Sequence, residues 1–151
     1  MTKYLKIFWA MVICEGAGLI GSIFTANSVT SWYATLNKPS FNPPSWIFAP
    51  VWTSLYLMMG VSLYLIWGVK KASLKWFWIQ LILNSLWSIL FFGLKNPSIA
   101  FFEIVLLWLS IALTIKSFWR YDKTASLLLA PYLAWVSFAS ILNFSIWILN
   151  R

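Results

Sequence analysis

The chain has 151 residues, 62% hydrophobic and only 9% charged, with a net charge of +8 and a mean hydropathy of +0.81. A soluble domain of this length needs a charged surface, so the composition excludes a water-solvated globule and leaves lipid as the solvent. With no histidine and a single cysteine, Cys14, in an apolar run, the chain offers no histidine acid–base pair, no proximal histidine for haem iron, no internal disulfide and no metal site built around that cysteine.

The N-terminal Met1-Thr2-Lys3-Tyr4-Leu5-Lys6 precedes an apolar run that imitates a secretory signal. The run lacks a small-residue cleavage site and continues to about Phe24, so it is expected to be a retained span. Five segments in all are long enough to cross a hydrocarbon core of roughly 30 Å, which takes about 20 helical residues. They are Tyr4–Phe24, Trp46–Val69, Leu74–Leu94, Ser98–Trp119 and Ala125–Leu149. A membrane barrel would need alternating strands of about 10 residues, whereas these runs are continuous and nearly twice as long. The expected fold is an all-α integral membrane protein, a single domain over residues 1–151. It is one bundle of five transmembrane helices with a long ordered loop between the first two. The connections Lys70–Ser73, Lys95–Pro97 and Arg120–Thr124 are short, which predicts antiparallel, adjacent neighbours.

Small-residue pairs Ala17/Gly21 and Gly18/Ser22 in the first span suit either close helix packing or the floor of a ligand groove. Glu15 is a carboxylate within that span, costly in lipid and expected to face protein or a cavity, in a supporting role or as a direct ligand or proton-path group. The first connection is the only long one, Thr25 to Ser45. Pro39, Pro43 and Pro44 remove backbone donors and bias their predecessors toward extended conformations. The segment is too aromatic for a free linker, so it predicts an ordered cover over the end of the bundle, feeding a helix that starts near Trp46.

In the second span Trp52, Tyr56, Met59 and Leu63 share one helical face. In the third, Gln80, Asn84 and Ser88 lie beside Trp87 and Phe91, and amides in lipid need a partner helix, from this chain or a second one. In the fifth, Pro131, Trp135, Ala139 and Asn143 recur every fourth residue, with a kink expected at Pro131. Trp32, Tyr33, Trp52, Tyr56 and Trp135 therefore form either an aromatic chamber under the loop or an interfacial belt. A chamber suits a porphyrin, whose π-face would stack and whose carboxylates could meet Lys38 or backbone N–H groups at the rim.

The basic residues give the orientation. Lys3, Lys6, Lys70, Lys71, Lys75, Lys116, Arg120 and Lys123 lie toward one face, and Lys38, Lys95 and Arg151 toward the other. This bias predicts a cytoplasmic N-terminus and an external loop, in a cytoplasmic membrane. The alternative is the outer membrane of a mitochondrion or bacterium. The cations sit in short clusters between apolar runs, which argues for lipid headgroups as partners and against nucleic acid.

The segment Trp32-Tyr33, Leu36, Lys38-Pro39, Pro43-Pro44, Trp46, Pro50-Val51-Trp52, Leu55-Tyr56 and Gly60 resembles the translocator protein family, also called tryptophan-rich sensory proteins or peripheral-type benzodiazepine receptors. The likeness continues through Gln80-Leu81, Asn84, Trp87 and Phe91-Phe92-Gly93. It ends with Pro131-Tyr132-Leu133-Ala134-Trp135, Phe138-Ala139 and Leu142-Asn143. The resemblance implies a homodimeric membrane receptor or sensor for porphyrins (protoporphyrin IX or haem) and related hydrophobic ligands, with no required cofactor and a link to their transport. It implies ligand-lining roles for Tyr33, Trp52, Tyr56, Asn84, Trp135 and Ala139. Trp32, Lys38, Trp87 and Phe91 are added here as candidate ligand contacts.

Some bacterial members are reported to degrade protoporphyrin in light through two pocket tryptophans, which match Trp52 and Trp135. These would be the catalytic residues under an alternative enzymatic reading. A third reading is a structural or transport partner within a membrane assembly. Glu103 falls where relatives often carry an acid. The sterol motif of animal members is broken, since Phe144 replaces its tyrosine, which puts sterol binding in doubt. The missing animal C-terminal extension is expected of a microbial member.

Overall fold

A computed structural model describes residues 1–151, which are helical and contain no strand. The helices are α1 (Lys3–Val29), α2 (Trp32–Thr35), α3 (Phe48–Trp67), α4 (Lys75–Ser88), α5 (Pro97–Trp119), α6 (Lys123–Leu127) and α7 (Ala130–Leu149). A 3₁₀ turn, Ser45–Ile47, leads into α3, and a π-helical turn, Ile89–Gly93, extends α4. Five units are long and apolar enough to span a membrane: α1, Ser45–Trp67, Lys75–Gly93, α5, and α6 with α7. Ile82, Leu19 and Phe102 are 68%, 66% and 64% exposed, as expected where lipid rather than water surrounds the bundle.

The spans close into a ring. Helix α1 packs between α3 and α4, α4 against α5, and α5 against α6 and α7, while α6 returns to α3. The expectation that every short connection joins adjacent spans fails once. The backbones of α3 and α4 are not close neighbours, because α1 lies beside both. Helices α1 and α3 approach closely at Gly60, where an added Cβ would stand 3.0 Å from the Met11 Cα. A side chain there would press on the Met11 backbone, and glycine avoids this, as small residues do in lipid-solvated helix pairs.

Serine hydroxyls tie neighbouring spans. Ser62 donates to the Ala125 carbonyl at 2.7 Å, Ser85 to Ala17 at 2.9 Å and Ser28 to Phe92 at 2.8 Å.

Two helix irregularities shape the bundle, one at each end. The fifth span breaks fully at Leu128–Leu129, where a kink was expected at Pro131. Pro131 has no N–H and starts α7 instead of bending a continuous helix. In the third span the wide turn at Ile89–Gly93 brings Trp87, Phe91 and Phe92 into one aromatic group, with Trp87 stacked on Phe91 at 5.0 Å. Gly93 leaves room for the Phe24 ring, which a Cβ would meet at 2.9 Å and displace.

The first span runs further than the sequence suggested, to Val29, so the connection is shorter and begins with α2. It is fastened at both ends. Tyr33 donates to Asn42 Oδ1 at 2.8 Å. The Asn37 amide donates to Asn150 Oδ1 at 2.9 Å, and Asn150 Nδ2 returns a bond to the Asn37 carbonyl at 2.8 Å. The connector is thus clasped to the end of α7.

Gly60→Ala is expected to lower stability by about 1–3 kcal/mol through overpacking against the Met11 backbone. Thermal unfolding in detergent, read by tryptophan fluorescence, measures it.

Candidate functional site

Beneath the connector lies a cavity of about 430 Å³. This falls within the roughly 300–1,000 Å³ usual for small-molecule sites. All five spans contribute to its wall, which is mainly apolar. Helix α1 presents Gly18 and neighbours up to Val29, α3 presents Phe48, Trp52 and Tyr56, and α4 with its π turn presents Asn84, Trp87 and Phe91. Ile104 and Leu107 come from α5, and Trp135 and Ala139 from α7.

Of the residues predicted from sequence, Tyr33, Trp52, Tyr56, Asn84, Trp87, Phe91, Trp135 and Ala139 all line this cavity. Trp32 and Lys38 do not. Trp32 packs edge-on against Phe91 at 5.6 Å, behind the wall. The Lys38 ammonium bonds the Leu36 carbonyl at 3.1 Å and the Ala34 carbonyl at 3.4 Å, and stands 4.9 Å above the Tyr33 ring. It braces the roof. Burial pushes the Tyr33 phenol above its ordinary range, and the bond to Asn42 works in the opposite direction.

The floor is a hydrogen-bonded bridge. The Tyr56 hydroxyl donates to Asn84 Oδ1, and Asn84 Nδ2 donates to the Tyr132 hydroxyl at 2.6 Å. All three side chains are buried. The bridge joins α3, α4 and α7, so it crosses the gap between α3 and α4 that backbone packing leaves open. Trp52 stacks on Tyr56 at 5.7 Å and meets Tyr132 edge-on at 6.2 Å. Across the cavity Trp135 is held between Phe48 at 6.1 Å and Phe138 at 5.4 Å. Trp87 Nε1 donates to Asn143 Oδ1 at 2.9 Å, and Asn143 Nδ2 donates to the Pro97 carbonyl at 2.7 Å. These bonds fix the indole as wall.

The two small-residue pairs of α1 divide the expected roles. Ala17 and Gly21 pack on α4, where the Ala17 carbonyl accepts from Ser85 and Gly21 faces Ser88. Gly18 and Ser22 line the cavity, and any Cβ on Gly18 would collide with the Tyr56 ring. One pair is packing and the other is groove.

Glu15 lines the deep end of the cavity on α1, and its Oε1 is buried without a partner. Glu103 is also buried, with neither oxygen bonded, but lies outside the wall. Gln80 meets only the Met59 sulfur, at 3.8 Å.

Sequence reasoning passed over Tyr132 as a site residue. The signal that could have found it is the phenol it needs to satisfy, directly after Pro131 and inside an apolar run. It also passed over Asn42, whose role in tying down Tyr33 depends on a turn that periodicity does not reveal.

A TspO/MBR family profile matches residues 10–148. The chain belongs to the TspO/MBR family. It is 50% identical to the tryptophan-rich protein TspO of Chlorobaculum tepidum over 98% of both chains. It is 38% identical to the tryptophan-rich sensory protein of Cereibacter sphaeroides, over 97% of this chain and 95% of that one. It is 37% identical to the human translocator protein, over 85% of this chain and 80% of that one. Family membership and five apolar spans make it an integral membrane protein.

Asn84→Leu strands the Tyr56 and Tyr132 hydroxyls in the core, at about 1–3 kcal/mol for each unsatisfied group. The expected outcome is a markedly lower unfolding midpoint in detergent. Tyr56→Phe removes only one donor and is expected to shift it less.

Proposed function

We propose that the cavity binds a flat, hydrophobic tetrapyrrole of the protoporphyrin IX or haem type, and that the protein is a membrane receptor or sensor for it, with a part in its movement. One observation carries this reading: Trp52, Trp87 and Trp135, from three different spans, wall a single apolar hollow whose far side is cut back to Gly18. Wide π-faces on several sides suit a large conjugated ring better than a compact ligand. The printed names of the relatives, a sensory protein and a translocator protein, support a sensing or translocating role. Lys38 is engaged with roof carbonyls. The hydroxyls of Thr30 and Ser45, which also line the cavity, are therefore the better partners for propionate groups. The reading further holds that the chain works as a homodimer with its connector on the external face. The excess of basic residues near the N-terminal face supports the latter.

Titration with protoporphyrin IX in lipid nanodiscs is expected to quench tryptophan fluorescence saturably. Trp52→Ala or Trp135→Ala should raise Kd about five- to thirtyfold, the loss of ~1–2 kcal/mol of aromatic contact. Unchanged Kd in both variants removes this cavity as the site.

A second reading, light-dependent degradation of the bound ring, is favoured by Trp52 and Trp135 facing the same cavity. In aerated, illuminated samples it requires faster loss of porphyrin absorbance than in the Trp52→Phe/Trp135→Phe variant. Equal rates exclude it.

A further inference from the structure

The wall of the cavity is not equally closed on all sides. Every exposed residue that lines it belongs to α1, to α3 or to the ends of the connector that join them. On α1 these are Leu19, Ser22 and Ala26; on α3 they are Ala49 and Thr53. The lining residues of α4, α5 and α7 are buried or half-buried. The two lips match. Gly18, Ser22 and Ala26 follow one another at four-residue intervals on α1, as do Ser45, Ala49 and Thr53 on α3. Each set is therefore one face of small side chains. Such faces would let two helices close together. Lower in the bundle α1 and α3 do so, at Met11 and Gly60. Toward the connector the cavity-lining residues of both helices are exposed, so this is the side on which the wall is open.

The surroundings of the cleft are hydrocarbon-facing. Leu19 and Ile23 on α1 and Leu57 on α3 are exposed apolar side chains. Two of the lip hydroxyls are satisfied within their own helices, Ser22 on the Leu19 carbonyl at 2.8 Å and Thr53 on the Ala49 carbonyl at 2.9 Å, so these positions ask nothing of water. No charged side chain stands on either lip. The alternative route, through the roof, is barred by the Asn37–Asn150 clasp and the Tyr33–Asn42 bond.

We infer that the cleft between α1 and α3 is a lateral portal through which the ligand passes between the cavity and the acyl-chain region of the bilayer, under a connector that stays latched. The inference rests on the cavity being a ligand site, as proposed above. It defines the ligand class further, as a molecule dissolved in or partitioned into lipid.

The test fills the portal without touching the aromatic walls. Ala26→Trp/Ala49→Trp places two indoles at the lips, and Asn150→Ala releases the roof. Stopped-flow quenching by protoporphyrin IX in nanodiscs is expected to show association and dissociation both slowed at least about tenfold in the lip variant. Slowing of both rates together is the signature of a blocked doorway, since a barrier on the path retards entry and exit alike. Asn150→Ala should leave both rates within about twofold. Slowing absent in the lip variant, or rates accelerated by roof release, overturns the portal. A raised Kd with an unslowed association rate does so too.

A second measurement does not depend on porphyrin. Ala139→Cys in a Cys14→Ser background places a thiol in the cavity wall, and N-ethylmaleimide supplied in lipid reports access to it. The lip variant should slow alkylation at least about tenfold and roof release should not quicken it; the opposite pattern overturns the portal. Slowed alkylation together with no porphyrin binding in the parent protein would sink the tetrapyrrole reading and leave the portal standing.

Discussion

The structure depends on the bridge from Tyr56 through Asn84 to Tyr132. The backbones of α3 and α4 do not pack on each other, so these spans meet through side chains alone, and the bridge supplies the directional bonds within an otherwise apolar core. Lipid supplies no driving force to press helices together comparable to that of water on an apolar core, so buried polar bonds and close small-residue contacts carry more of the cohesion. The bridge meets that need and at the same time fixes the height of the cavity floor. Above it, spans are free to part; below it, Gly60 brings α1 and α3 almost to backbone contact.

The cavity follows from that arrangement. The wide turn at Ile89–Gly93 lies toward the connector end and gathers large rings there, whereas the break at Leu128–Leu129 lies at the opposite end of the bundle. Aromatic residues fill part of the space and leave the rest. The roof is then held by contacts of a different kind, side-chain amides and a phenol bonding to backbone and to one another, which gives a cover anchored at the tip of α7 rather than a loop resting on the bundle.

The spans, their order and their number were legible because about 20 consecutive apolar residues admit few structures in lipid. The aromatic wall was legible because Trp52, Tyr56, Asn84, Trp135 and Ala139 sit at helical spacings that put them on inward faces, and because the prolines of the connector demand an ordered cover. Other features were not legible. Adjacency of α3 and α4 was expected from a short connection, but loop length limits only how far apart two ends lie, and α1 found the better partner surfaces. Lys38 looked like a rim cation, yet a lysine near unpaired carbonyls at a chain reversal satisfies them first. Trp32 shares the wording of the chamber but packs behind the wall on Phe91, because α2 is a single turn that gives the inward position to Tyr33. Ala17/Gly21 and Gly18/Ser22 could not be told apart by spacing, since the two pairs differ by one residue in register and only the position of Tyr56 decides which faces the hollow.

A mouth set among acyl chains also changes what concentration means for this protein. The relevant variable is mole fraction in the bilayer, not molarity in the bathing buffer. Adding empty vesicles should deplete occupancy even when total ligand is constant, whereas diluting a strongly partitioned ligand with buffer should scarcely alter it. Membrane composition, by setting how well a guest dissolves beside the lips, becomes a selectivity filter that acts before any side chain is touched.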